Sequence, residues 1–179
     1  MALETTVIQN KLTDKFGDKV TGFIEQIDIF SFEVEAASMT EVMQFLKEDQ
    51  VLRFNFLTDV CGIHYPDADL DRQFAVVYHM HNWIDNVRIR FKCFLNGENP
   101  EIESATGLFL GANWQERETY DFYGIIFKGH PQLKRILNMD EMVSFPMRKD
   151  FPLEDGGRTD KDDRFFGRMP DNAHNNNLK

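Results

Sequence analysis

Two apolar strands around a tight turn constrain this chain more than any other feature. Val87, Ile89, Phe91, Cys93 and Leu95 alternate with Arg88, Arg90 and Lys92. A period of two puts the apolar set on one face of a strand and the cations on the other. The preceding run, Gln73 to Trp83, is apolar and aromatic, and Asp85 and Asn86 are turn formers, so Gln73 to Trp83 and Val87 to Leu95 predict an antiparallel hairpin. One face of that hairpin requires a core. The basic face is expected to be solvated or covered by acidic groups.

The flanking sequence supplies elements to build that core. Thr5 or Thr6 can cap a helix with Ile8, Leu12 and Phe16 on one face, and Gly17 suits its stop. Val20 to Ile24 and Phe30 to Glu35 predict strands. Ser38 followed by Glu41 reads as a capping box opening a helix to about Lys47, with Val42, Phe45 and Leu46 inward. Asn96-Gly97 and Pro100 break the hairpin strand, and Ser104 to Leu110 is a short helix or turn. Asn113 and Glu116 repeat the capping pattern, with Gly124 as the left-handed stop. Ile125 to Phe127 predicts a short buried strand, and Pro131 opens a last helix with Leu133, Ile136 and Leu137 inward. The expected class is α/β (α+β): a single domain with a mixed sheet flanked by helices. Residues 1–112 form its body, residues 113–153 a docking segment continuous with it, and residues 154–179 an extended or disordered tail.

At 179 residues and 42% hydrophobic content, the chain can bury one sizeable core. It has neither an apolar run long enough for a membrane span nor a basic-then-apolar leader, so a soluble, intracellular chain is expected. Cys61 and Cys93 lack metal spacing and read as buried free thiols. A net charge of −10 argues against nucleic acid and against electrostatic attachment to anionic lipid. Residues 1–87 hold 15 acids against six Lys or Arg, and residues 88–179 hold 15 against 14. The near-neutral second half is the better place for specific protein contacts.

Asn113 to Pro152 crowds paired charges, aromatics, Gly and Pro into one run. Burying a charge costs several kcal/mol unless it is paired, so Glu116, Arg117, Glu118 and Asp121 among Trp114, Tyr120 and Tyr123 must lie at a surface or meet partners. Arg117 and Asp121, four apart on a helix, are expected to pair. Trp114, Tyr123, His130, Arg135, Arg148, Lys149 and Asp150 complete the interface candidates here, His130 as a hydrogen-bonding turn residue. Phe165 and Phe166, between Arg164 and Arg168, would anchor the tail in a partner's groove. Catalysis by these acids is disfavoured, because no nucleophile, metal set or phosphate loop accompanies them. His79 and His81 share a strand face, with His64 and Cys61 upstream, yet fall short of the ligands a zinc site requires. No catalytic, cofactor-binding or metal residue is assigned. A free-standing enzyme using His79, His81 and the acids around Glu116 is the alternative from a different class.

The same run carries a family resemblance. ERETYDFYGIIFKGHPQLKRIL followed by PMRKDFP resembles the signature of the C subunit, the 30-kilodalton subunit, of proton-translocating NADH:quinone oxidoreductase, respiratory complex I. The match includes Glu116, Arg117, Glu118, Asp121, Gly124, Gly129, His130, Pro131, Arg135, Pro146, Arg148, Lys149 and Asp150, and the likeness covers roughly Val51 to Leu153. Met142, Val143, Ser144 and Phe145 stand where the family usually has an aromatic, an acid, Gly and His. The resemblance implies a structural subunit without a cofactor of its own, while FMN, Fe–S clusters and quinone sit in partner subunits. It implies packing against the D subunit near the quinone module, with the B and I subunits as further partners. The location implied is the cytoplasmic side of the inner membrane, reached only through the complex. Equivalent subunits of membrane-bound hydrogenases and ferredoxin-linked complexes share the pattern.

Overall fold

The computed structural model describes residues 3–27 and 29–150. Five strands form one mixed sheet: β1 (Val20–Gln26), β2 (Ile29–Val34), β3 (Phe56–His64), β4 (Phe74–Asn82) and β5 (Val87–Leu95), in the order β1-β2-β5-β4-β3. The hairpin β4–β5 forms in antiparallel register from Phe74 opposite Leu95 to Asn82 opposite Val87. Its turn is held by Asn82, whose Oδ1 accepts from the Ile84 and Asp85 N–H groups while its Nδ2 donates to the Leu52 carbonyl. Within this sheet only β2 and β5 run parallel, with Phe30 beside Ile89 and Phe32 beside Phe91. That pairing needs the long crossover through α2 (Met39–Glu48), β3 and β4.

Helices α1 (Thr5–Phe16) and α2 cover one face of the sheet. Ile8 and Leu12 from α1, and Met39, Val42, Met43 and Leu46 from α2, are buried with Phe32, Tyr78, Phe91 and Cys93 in one core. Phe16 and Phe45 are partly buried against it and pack edge to face at 5.6 Å. Gly17 ends α1 at φ 54°, as its sequence position predicts. The capping box at α2 is not made: Ser38 stands at the N-cap, but its hydroxyl bonds the Glu35 carboxylate instead. Neither Thr5 nor Thr6 caps α1, where the N-cap is Glu4.

Beyond β5 a second, two-stranded parallel sheet joins β6 (Glu101–Glu103) to β7 (Ile126–Lys128). Between them α3 (Ala112–Tyr123) lies along the edge strand β3. Thr119 donates to the Val60 carbonyl, and a Cβ on Gly62 would stand 2.6 Å from the Tyr123 ring. Sequence periodicity misses β3 because a register shift between Leu57 and Asp59 breaks its alternation. Among the described residues no helix is long and apolar enough to cross a membrane.

Candidate functional site

The charged signature is built on α3, and its side chains turn inward. Glu116 does not close a capping box with Asn113, since the N-cap is Gly111 and makes no side-chain bond. It shares the buried face of α3 with Ala112 and Thr119 and is 0% exposed. There its carboxyl accepts from the Ser104 hydroxyl and the Ala105 N–H, both at 2.6 Å. Burial pushes its pKa up to about 7, against the lowering effect of those two bonds.

Asp121 is equally buried, yet its acidity moves the other way. One oxygen accepts from the backbone N–H groups of Ile136, Leu137 and Asn138 at 3.0, 2.8 and 2.9 Å. The other accepts from the Arg135 guanidinium at 2.7 Å and the Asn138 amide at 3.1 Å. Burial alone would raise its pKa, but the converging donors outweigh it and hold the carboxyl well below the usual range. Arg135 in turn donates to the Met142 and Ser144 carbonyls. Every strong partner of this buried pair is therefore intramolecular.

Two expectations are corrected here. Arg117 and Asp121 do not pair with each other: Arg117 donates to the Lys134 and Arg135 carbonyls at 3.1 and 3.0 Å. The two side chains grip one loop, the cation holding its carbonyls and the anion its N–H groups. The helix expected after Pro131 does not form, because in a helix the N–H groups of 136, 137 and 138 would donate to the carbonyls of 132, 133 and 134. Asp121 takes those donors and Arg117 takes the Lys134 acceptor, leaving an irregular backbone. Leu133 and Ile136 are partly buried, but Leu137 is 65% exposed.

The segment then returns to cap α3. Gly124 ends the helix at φ 73°, and a Cβ there would meet Arg148 and Phe145 at 2.6 Å. The Met147 N–H and the Arg148 guanidinium donate to the carbonyls of Phe122 and Tyr123, groups a helix end leaves unpaired. Phe145 lies between two guanidinium groups, 4.9 Å from Arg135 and 4.7 Å from Arg148. The Lys149 N–H donates to His64 Nδ1 at 3.0 Å, with the imidazole stacked on Phe74 and Asp150 3.8 Å away. Burial lowers the His64 pKa, aided by Arg148 and Lys149 and opposed by Asp150. His130 is a hydrogen-bonding turn residue, accepting from the Gln132 N–H at Nδ1 and facing the Asn113 carbonyl through Nε2.

Of the interface candidates, Glu116, Asp121 and Arg135 are thus internal: of the two alternatives, a surface or partners, Glu116 and Asp121 take the second, with partners inside the chain. Trp114 is 59% exposed, and Glu118, Lys149 and Asp150 are exposed with it. Tyr123 and Glu118 line a shallow groove of about 220 Å³ between β3 and α3. Phe165 and Phe166 lie outside the described residues. Sequence reasoning misses the roles of His64, Ser104 and Asn138, which lie 85, 12 and 17 residues from the groups they bond, and of Phe145, which packs on Arg135 and Arg148. The two cysteines are free, their thiol pKa values raised by burial, to about 11 for Cys61. Among the described residues no group of three or more His, Cys, Asp or Glu is arranged to hold a metal.

This geometry belongs to a known sequence pattern. The profile described as "Respiratory-chain NADH dehydrogenase, 30 Kd subunit" matches residues 32–156, most of the chain. The chain belongs to this family. It is 40% identical over 173 residues to the second C subunit of the NADH-quinone oxidoreductase of Rhizobium etli (strain CIAT 652), covering 95% of this chain and 88% of that one. Its fold matches a trypsin-resistant fragment of Nqo5 with a TM-score of 0.58 at 29% identity, over 70% of this chain and 98% of the fragment. A chain from the archaeal membrane-bound sulfane sulfur reductase shares the fold alone, with a TM-score of 0.70 at 20% identity over 83% of this chain and 85% of that one.

Proposed function

We propose that this chain is a structural subunit of the peripheral arm of an NADH:quinone oxidoreductase and binds no flavin, Fe–S cluster or quinone itself. It packs against the D subunit, with the B and I subunits close by, on the cytoplasmic side of the membrane. The complex carries electrons from NADH through FMN and Fe–S centres in its partners to quinone, coupled to proton translocation. One observation carries the reading: the signature's charged side chains, with His64, hold the segment 129–150 on α3 and β3. The held segment presents apolar side chains outward. Leu137, Met139, Val143 and Met147 are 65%, 75%, 95% and 50% exposed, an arrangement suited to a permanent protein partner.

Gentle extraction, native electrophoresis and mass spectrometry of the separated bands test this. The chain is expected in a stoichiometric assembly that includes a D subunit, and metal-free when purified alone. Recovery from cells only as a free monomer refutes the proposal.

A further inference from the structure

The sheet face opposite α1 and α2 borders the α3 clamp at one end, where Asp59 lines the groove shared with Glu118 and Tyr123. Strand registers place Ile24, Ser31, Arg90, His79 and Asp59 in one row across all five strands. Arg88, His81 and Phe56 flank that row toward the β4–β5 turn, and Lys92 flanks it on the other side. No helix of the described residues covers this part of the face: Ile24 is 48% exposed, Phe56 43% and Trp83 61%. Trp83 packs on Phe56 at 5.3 Å and on His81 at 4.6 Å, forming an aromatic platform beside the cations.

The charge of this face opposes that of the chain. Net charge is −10, yet Arg88, Arg90 and Lys92 line up along β5 at its centre. Of the nearby acids, Glu33 stands opposite Lys92 in register and is taken by Arg72 at 2.9 Å, Asp59 lies 3.6 Å from His79, and Glu118 shares the edge groove with Asp59. Arg90 is steadied by the bond from its Nε to the Ser31 hydroxyl, which aligns it without neutralising it. A metal does not account for the paired imidazoles, since His81 Nε2 is engaged by Asn86 at 3.1 Å.

Resting on the structural role argued above, we propose that this face docks an acidic segment of a neighbouring subunit. Its carboxylates meet Arg88, Arg90 and Lys92, and its apolar side chains lie on Phe56, Trp83 and Ile24. Charge complementarity selects that occupant, because a basic partner would be drawn to the acidic remainder of the surface and repelled here. Like charge over the molecule as a whole also disfavours nucleic acid.

The test compares the intact assembly with the free full-length chain. Arginine modification by phenylglyoxal, read by mass spectrometry at Arg88 and Arg90, is expected to slow at least about tenfold in the assembly, and a carbodiimide is expected to couple Lys92 to a partner carboxylate. The double variant Arg88→Glu with Lys92→Glu should be released from the assembly at lower salt, while the melting temperature of the free chain is unchanged. Equal reactivity of both arginines in an assembly that contains the chain overturns this inference and leaves the structural role intact. Protection already present in the free chain overturns it in favour of the chain's own remaining residues or a second copy. Protection that vanishes on delipidation assigns the face to lipid and overturns it too. Recovery of the chain only as a monomer refutes both readings together.

Discussion

Replacing Asp121 by Asn keeps the size of the side chain and removes its charge, and the structure makes that small change severe. Arg135 is 9% exposed and would keep only neutral carbonyl partners. Five donors converge on the two carboxylate oxygens of the native residue. An amide has one oxygen: turned toward Arg135, its NH2 meets the three backbone N–H groups, and turned the other way it meets Arg135 and Asn138. Stranding one member of a buried pair costs about 3 to 5 kcal/mol. Much of that cost should fall on the loop, because the loop can release while the sheet stays folded. A local loss of about 3 kcal/mol would accelerate amide exchange at Ile136, Leu137 and Asn138 roughly 100-fold, with sheet amides such as that of Tyr78 much less affected. Exchange measured by NMR or mass spectrometry on the full-length chain provides the assay. Wild-type exchange rates at those three amides in Asp121→Asn would mean that the carboxylate does not hold the loop, and the clamp argument would fall.

Glu116→Gln tests the opposite carboxyl. Its folded pKa of about 7 lies above the unfolded value, so its contribution is fully present below about pH 4.3 and is lost as pH rises through about 7, by about 3 kcal/mol at the upper end. Urea titrations at pH 5 and pH 8 should show the variant gaining stability relative to wild type as pH rises; a constant difference rejects the shifted acid. His64 has a lowered pKa, so its contribution is present above about pH 6.5 and lost as pH falls through the lower folded value. Protection of the Lys149 amide should decline over that interval and stay low at all pH in His64→Ala. Gly124→Ala is expected to cost about 1 to 3 kcal/mol, from a left-handed backbone and from the contacts its Cβ makes with Phe145 and Arg148, as read from thermal melts. Arg117→Ala loses two hydrogen bonds to carbonyls at a partly exposed site, so its cost should be about 1 to 2 kcal/mol, well below that of Asp121→Asn.

Local pattern carries the fold where one element can satisfy itself. The hairpin, both N-terminal helices and the stop at Gly124 follow from spacing and from single residues with special backbone freedom. What escapes is set by partners distant along the chain. Helical spacing makes Asp121 the neighbour of Arg117, but Arg135 and three loop amides offer it more than an exposed i,i+4 contact can. Pro131 fits a first helical turn, and the tertiary claim on amides 136 to 138 overrides that preference. The motif is legible as charged, aromatic and important. Whether its charges face outward or inward is not, since composition does not reveal the direction in which a carboxylate points.

Within the five-stranded sheet, the lone parallel contact, between β2 and β5, has a consequence for how the molecule assembles. It divides the sheet into two units built from near neighbours, the β1–β2 hairpin and the β3–β4–β5 meander, joined along a seam whose strands are far apart in the chain. Contacts within each unit close short loops, whereas the seam closes a long one and comes late in folding. The link between α2 and β3 lies between the two units, and a chain severed there retains both. Two fragments cut at that link should find each other and rebuild the seam at a rate that depends on their concentration. The meander would act as the template on which the N-terminal half adds its strand and its helices.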